Sequence, residues 1–152
     1  MLKYYTAKVV FAEVPGEVSL AISLTNCPHK CEECHSPWLR EDIGDELTNE
    51  RLTELVKSND GITCLLYLGG EANPRDLISS INYLIKSHPG LKVAAYSGND
   101  YPSGSLMGLL DYYKWGSYQK DKGPLTSKTT NQIMVNKKGE DITHLFQKEN
   151  QL

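Results

Sequence analysis

The sequence predicts an α/β protein built on a parallel sheet. Three observations carry this. Residues 62–68 (Ile-Thr-Cys-Leu-Leu-Tyr-Leu) form a continuous apolar run of strand length, the pattern of a strand buried on both faces. From there to residue 96 the periodicity alternates strand, helix, strand. Cys27, Gly69 and Ser97, far apart in sequence, each follow closely on a predicted strand, and α/β sheets build their sites at strand C-terminal ends.

Taken in order, residues 7–12 and 18–24 are predicted strands divided by the turn signal Pro15-Gly16. Val18, Leu20, Ile22 and Leu24 alternate and bury one face. The second strand leads directly to Asn26-Cys27, and a cysteine-bearing loop runs to about residue 46. Thr48 or Asn49 caps a helix with Leu52, Leu55 and Val56 on one stripe. After the 62–68 strand come Gly69-Gly70-Glu71. Asn73 then caps a helix with Pro74 at its first position and Leu77, Ile78, Ile81, Leu84 and Ile85 on its apolar face. Gly90 closes that unit. Residues 91–96 are the next strand, followed by the loop Ser97-Gly98-Asn99-Asp100. A short helix is expected at 103–110, strands at 111–118 and 131–136, and an exposed loop at 119–130.

A length of 152 residues suits one domain with a sizeable core. The net charge of −3 and pI of about 5.8 favour neither a nucleic-acid backbone nor an anionic membrane as partner. No apolar run approaches the ~20 residues of a membrane span. Met1-Leu2-Lys3-Tyr4-Tyr5 does not open into a signal-peptide core, so a reducing cytoplasm is expected. There, closely spaced cysteines argue for metal or redox chemistry over disulfides.

Three cysteines stand within eight residues, in the run Cys27-Pro28-His29-Lys30-Cys31-Glu32-Glu33-Cys34. Thiolates are soft ligands that select zinc, copper(I) or iron–sulfur clusters. The CxxxCxxC spacing does not fit the paired half-sites of common zinc motifs. No second half-site follows: Cys64 falls in an apolar strand, and His88 and His144 are isolated. A [4Fe–4S] cluster held by three cysteines keeps one iron open for an external ligand, and zinc is the competing occupant.

The motifs together resemble the radical S-adenosylmethionine (SAM) superfamily. More closely they resemble the small glycyl-radical-enzyme activases that serve anaerobic ribonucleoside-triphosphate reductase. The resemblance rests on residues 25–37, Leu68-Gly69-Gly70-Glu71, Tyr96-Ser97-Gly98, Gly116-Ser117-Tyr118 and Thr129-Thr130-Asn131-Gln132, spread over most of the chain. It implies an incomplete parallel β/α barrel of about four to five β/α units, short of the ~250-residue full barrel. It implies that Cys27, Cys31 and Cys34 hold a [4Fe–4S] cluster whose fourth iron SAM chelates. One-electron reduction, from an external donor such as flavodoxin, cleaves SAM, and the resulting radical abstracts hydrogen from a glycine of the reductase.

By the same resemblance, Gly69, Gly70 and Glu71 receive the SAM amino group, and His35 lies where the family often has an aromatic residue beside adenine. Ser97, or Asn99 or Asp100, contacts the carboxylate or ribose. Lys114 pairs with the carboxylate, although the spacing of Asp111 and Lys114 departs from the family pattern. Asn131-Gln132 matches a late family motif. His29 is expected near cluster sulfur rather than on iron. Two of Tyr112, Tyr113, Trp115 and Tyr118 are expected in the core and the others at a partner's entry. Activases of pyruvate formate-lyase type, and a non-catalytic zinc or iron–sulfur module that docks a partner, are the competing readings.

Overall fold

The computed structural model describes residues 2–25, 44–70, 73–117 and 119–147. It is α/β. One seven-stranded mixed sheet has the order β3-β1-β2-β4-β5-β6-β7. The strands are β1 (Lys3–Val10), β2 (Ser19–Leu24), β3 (Asp45–Glu46), β4 (Cys64–Leu68), β5 (Lys92–Tyr96), β6 (Tyr112–Trp115) and β7 (Ile133–Asn136). β2, β4, β5 and β6 run parallel at the centre, while β1, β3 and β7 pair antiparallel at the margins. The expectation of an all-parallel sheet therefore holds only for the middle. β1 and β2 are a hairpin, and a short connection returns the chain antiparallel.

Two helices are described, α1 (Asn49–Lys57) and α2 (Pro74–Ser87). Thr48 caps α1, its hydroxyl accepting from the Arg51 N–H at 3.1 Å. Asn73 precedes Pro74 as expected, but its side chain makes no capping bond. Both helices cover one face of the sheet. Leu52, Leu77, Ile81 and Leu84 pack there with Leu20, Ile22, Leu65, Tyr67, Val93 and Tyr113. The opposite face carries a smaller cluster of Ala21, Cys64, Leu66 and Ala94, closed by Val14.

The expected helix at 103–110 is not formed. Residues 104–109 are turns, and Gly108 at φ +81° lies outside the helical region. Every expected strand differs at a boundary, and two differ most. The first strand spans Lys3–Val10 rather than 7–12, and the chain bends over residues 11–14. The sixth ends at Trp115, since Gly116 turns at φ +110°. In the 119–130 loop Leu125 is buried rather than exposed.

The segment 11–18 is fastened beneath that second face. The buried Glu17 carboxylate accepts from Thr63 Oγ1 at 2.7 Å, Tyr112 Oη at 2.8 Å and Lys92 Nζ at 3.0 Å. Tyr96 Oη donates to the Glu13 carbonyl. No helix among the described residues is long and apolar enough to cross a membrane.

Candidate functional site

Register places the candidate residues along one edge. Ser23 is level with Leu68, Leu68 with Tyr96, and Tyr96 with Lys114. Parallel strands in register release their following loops side by side. Backbone bonds then stitch these loops together. Gly69 N–H donates to the Tyr96 carbonyl (3.1 Å), Ser97 N–H to the Lys114 carbonyl (2.8 Å), and Gly116 N–H to the Asn99 carbonyl (2.7 Å).

Further along the same edge, Ser117 donates through its N–H and hydroxyl to Asp100 Oδ1 at 3.2 and 2.9 Å. Asn131 Nδ2 reaches the Ser117 carbonyl at 3.0 Å, and Gln132 Nε2 the Gly116 carbonyl at 3.4 Å. Three stretches separated in sequence, 96–100, 116–117 and 131–132, are thus one bonded cluster. Gly116 permits it. A Cβ there would stand 3.0 Å from Gln132 Cα and 3.1 Å from the Asn131 carbonyl oxygen. Asn131 Oδ1 is buried within this cluster without a hydrogen-bond donor.

A cavity of about 200 Å³ opens at this edge. Gly69, Gly70 and Ser97 line it, so the structure unites three of the residues singled out in the sequence. Leu77, Leu106 and Tyr113 contribute to its walls, and Asn99 and Ser103 add polar atoms. Ser103 and Leu106 carried no signal in the sequence because their segment was expected to be helical. Both glycines need their positive φ, +102° and +103°. Gly70 is also wedged, its Cβ position 3.0 Å from Leu77 Cδ2 and 3.1 Å from Leu24 Cδ1. At Gly69 the nearest atoms are 3.7 Å away. Ser97 is partly committed already, its Oγ accepting from the Asn99 N–H at 3.1 Å.

Lys114 does not line the cavity. It alternates with Tyr113 and shares with Tyr112 the face opposite the two described helices, its ammonium 4.9 Å from the centre of the Tyr96 ring. It is 7% exposed, and its carbonyl accepts from the Ser97 N–H. Asp111 is a brace: its N–H and carboxylate bond the Val93 carbonyl and N–H, both at 2.9 Å. Of the four aromatic residues, Tyr113 is core, and its ring meets Trp115 at 5.4 Å between centroids. Tyr112 is spent on Glu17.

Cys27, Cys31, Cys34, His29, His35, Glu71 and Tyr118 lie outside the described residues. The chain enters residues 26–43 from this same edge, since Thr25 N–H bonds the Lys3 carbonyl at the end of β2. It returns there too: Leu24 is level with Tyr4, and Tyr4 with Asp45. Gly44 abuts the Tyr4 carbonyl so closely that a Cβ would overlap it. Among the described residues no group of three His, Cys, Asp or Glu side chains is arranged to hold a metal ion. Cys64 is buried, and desolvation pushes its thiol up to about 12, which makes it unreactive. Comparison of the chain with protein-family profiles, with curated proteins and with solved structures finds no match.

Proposed function

We propose that this chain is a radical SAM activase. On this reading it binds a [4Fe–4S] cluster through Cys27, Cys31 and Cys34, cleaves SAM reductively, and installs a glycyl radical on anaerobic ribonucleoside-triphosphate reductase. One observation carries the reading. The segment with the CxxxCxxC run is tethered at both ends to the sheet edge where Gly69, Gly70 and Ser97 share a cavity.

The residues present fit the group in kind. Backbone at Gly69 approaches the cavity without a side chain between, which suits a ligand ammonium seeking carbonyl oxygens. Ser97, Asn99 and Ser103 offer polar contacts for ribose or carboxylate, and Leu77 and Leu106 an apolar wall. At about 200 Å³ the cavity takes one moiety of SAM, being below the ~300–1,000 Å³ of sites for whole drug-sized ligands. Glu71 and His35 complete the proposed SAM contacts. Bound together, cluster and SAM supply the one-electron chemistry; the chain binds, orients and shields them.

The architecture supports an incomplete β/α barrel of the radical SAM type. Its parallel centre is the barrel-like part, and both described helices cover a single face, as on a barrel's outer side.

Anaerobic reconstitution followed by iron analysis and electron paramagnetic resonance tests the proposal. The expected outcome is a brown protein with about four irons per chain. With SAM, a reductant such as reduced flavodoxin and the reductase, a glycyl doublet should appear on the reductase. Cys27→Ala, Cys31→Ala and Cys34→Ala should each abolish both signals, while Cys64→Ala keeps them. A colourless protein with one zinc overturns the proposal. A doublet only on a pyruvate formate-lyase type enzyme moves the assignment to that partner.

A further inference from the structure

Charge is divided unevenly along the sheet. The chain's net charge is −3, yet six of its sixteen lysine and arginine residues, and only one of its nineteen aspartate and glutamate residues, lie between 112 and 138. Around β3 and α1 the balance is reversed, with Asp45, Glu46, Glu50 and Glu54 exposed against Arg51 and Lys57.

Three of the six lysines, Lys120, Lys122 and Lys128, stand exposed on the 119–130 loop. The loop is flanked on both sides by the bonded edge cluster, since Ser117 bonds Asp100 and Asn131 Nδ2 reaches the Ser117 carbonyl. Its backbone is held in shape. Gly123 N–H donates to the Gln119 carbonyl at 2.8 Å, Thr129 Oγ1 to the Lys122 carbonyl at 2.7 Å, and Gln147 Nε2 to the Ser127 carbonyl at 3.1 Å. Leu125 anchors it by burial. Among the described residues no carboxylate pairs with Lys122 or Lys128. A fixed backbone thus presents uncompensated positive charge at the edge to which the CxxxCxxC segment is tethered. Lys137 and Lys138 follow the opposite end of β7, because Ile133 is level with Trp115 and Asn136 with Tyr112.

We propose that the 119–130 loop docks a small acidic one-electron carrier protein, which delivers the electron that the proposed function requires. The inference rests on that reading. In the docked pair the carrier is oxidised by one electron and the cluster reduced by one. Size and chemistry select this partner. Among the described residues no large apolar side chain of the loop is exposed. Exposed ammonium groups without an apolar centre speed encounter more than they prolong it. Electron-transfer encounters are of this kind, small and weak, burying less than ~1,200 Å². A carrier must arrive, discharge and leave, whereas a protein substrate held through hydrogen abstraction needs a longer-lived contact.

Titration calorimetry of the reconstituted full chain with oxidised flavodoxin tests it, at about 50 mM and about 500 mM salt. The dissociation constant should rise by more than about tenfold at the higher salt. At low salt Lys122→Glu/Lys128→Glu should raise it by more than about tenfold, with an unchanged far-ultraviolet spectrum. Lys137→Glu/Lys138→Glu makes the same change in charge at the far end of β7 and should leave it within about twofold. Cluster reduction by reduced flavodoxin should slow in the first variant alone, while reduction by photoreduced deazaflavin, a small donor, stays the same in both. Equal weakening by the two variants overturns the proposal, as does no weakening by either. So does a DNA oligonucleotide that binds more tightly than flavodoxin through the same two lysines. A wild type that assembles no cluster overturns the reading beneath it; an intact cluster with flavodoxin binding indifferent to the loop overturns this inference alone.

Discussion

At Gly70 a Cβ would meet Leu77 and Leu24 side chains at 3.0–3.1 Å, whereas at neighbouring Gly69 the nearest atoms stand at 3.7 Å. Both residues have φ above +100°, so both substitutions strain the backbone, but only one also overpacks the core. Gly70→Ala should therefore lower stability by about 2–4 kcal/mol and Gly69→Ala by about 1 kcal/mol, read from urea midpoints. Under the proposed function, SAM binding by the reconstituted protein, measured by equilibrium dialysis, should follow the opposite order once corrected for folded fraction. Gly69 faces the cavity unhindered, while Gly70 is wedged between Leu24 and Leu77. Equal loss of binding at both would make the pair a packing feature alone. The sequence displayed both glycines but could not divide these duties, because the division depends on Leu24 and Leu77, which reach Gly70 from β2 and α2.

Among the elements, the 11–18 segment hangs on one carboxylate. Burial raises the pKa of Glu17, but hydrogen bonds from Thr63, Lys92 and Tyr112 outweigh it, and the net shift is downward from 4.5. A depressed folded value means that the stabilisation is present above the unfolded value and is lost as pH falls through the folded one. Lys92 is shifted up from 10.5, chiefly by its bond to Glu17, so its share is present below 10.5 and lost as pH rises through the folded value. The wild type should thus lose stability below about pH 4.5 more steeply than Glu17→Gln. At pH 7 Glu17→Gln should cost about 2 kcal/mol, since it weakens three bonds at a buried position. Chemical denaturation across the acid range checks both. Nothing in the local sequence marked Glu17, because its partners lie 46, 75 and 95 residues away.

At the scale of the molecule, one sheet joins all seven strands, and its larger core cluster draws on both helices and on β1, β2, β4, β5, β6 and β7. Such a core should unfold as a unit. Urea transitions followed by far-ultraviolet circular dichroism and by tryptophan fluorescence should coincide, and separated midpoints would divide the chain into independent parts. Period and punctuation made most of this architecture legible. The apolar run at 62–68, the stripe from Leu77 to Leu84 and the pattern at 91–96 became β4, α2 and β5, since burial on two faces or one stripe leaves a direct trace in composition. The 103–110 segment misled because apolar spacing does not record the φ of Gly108. The chain's own residues determined the α/β class, the central strands and the CxxxCxxC run, all of which are local patterns. Tertiary structure alone decided that β1, β3 and β7 run antiparallel and that residues 96–100, 116–117 and 131–132 form one bonded edge. It alone also set Lys114 on the face away from the cavity. Register between strands distant in sequence fixes which side chains meet, and no single segment carries that information.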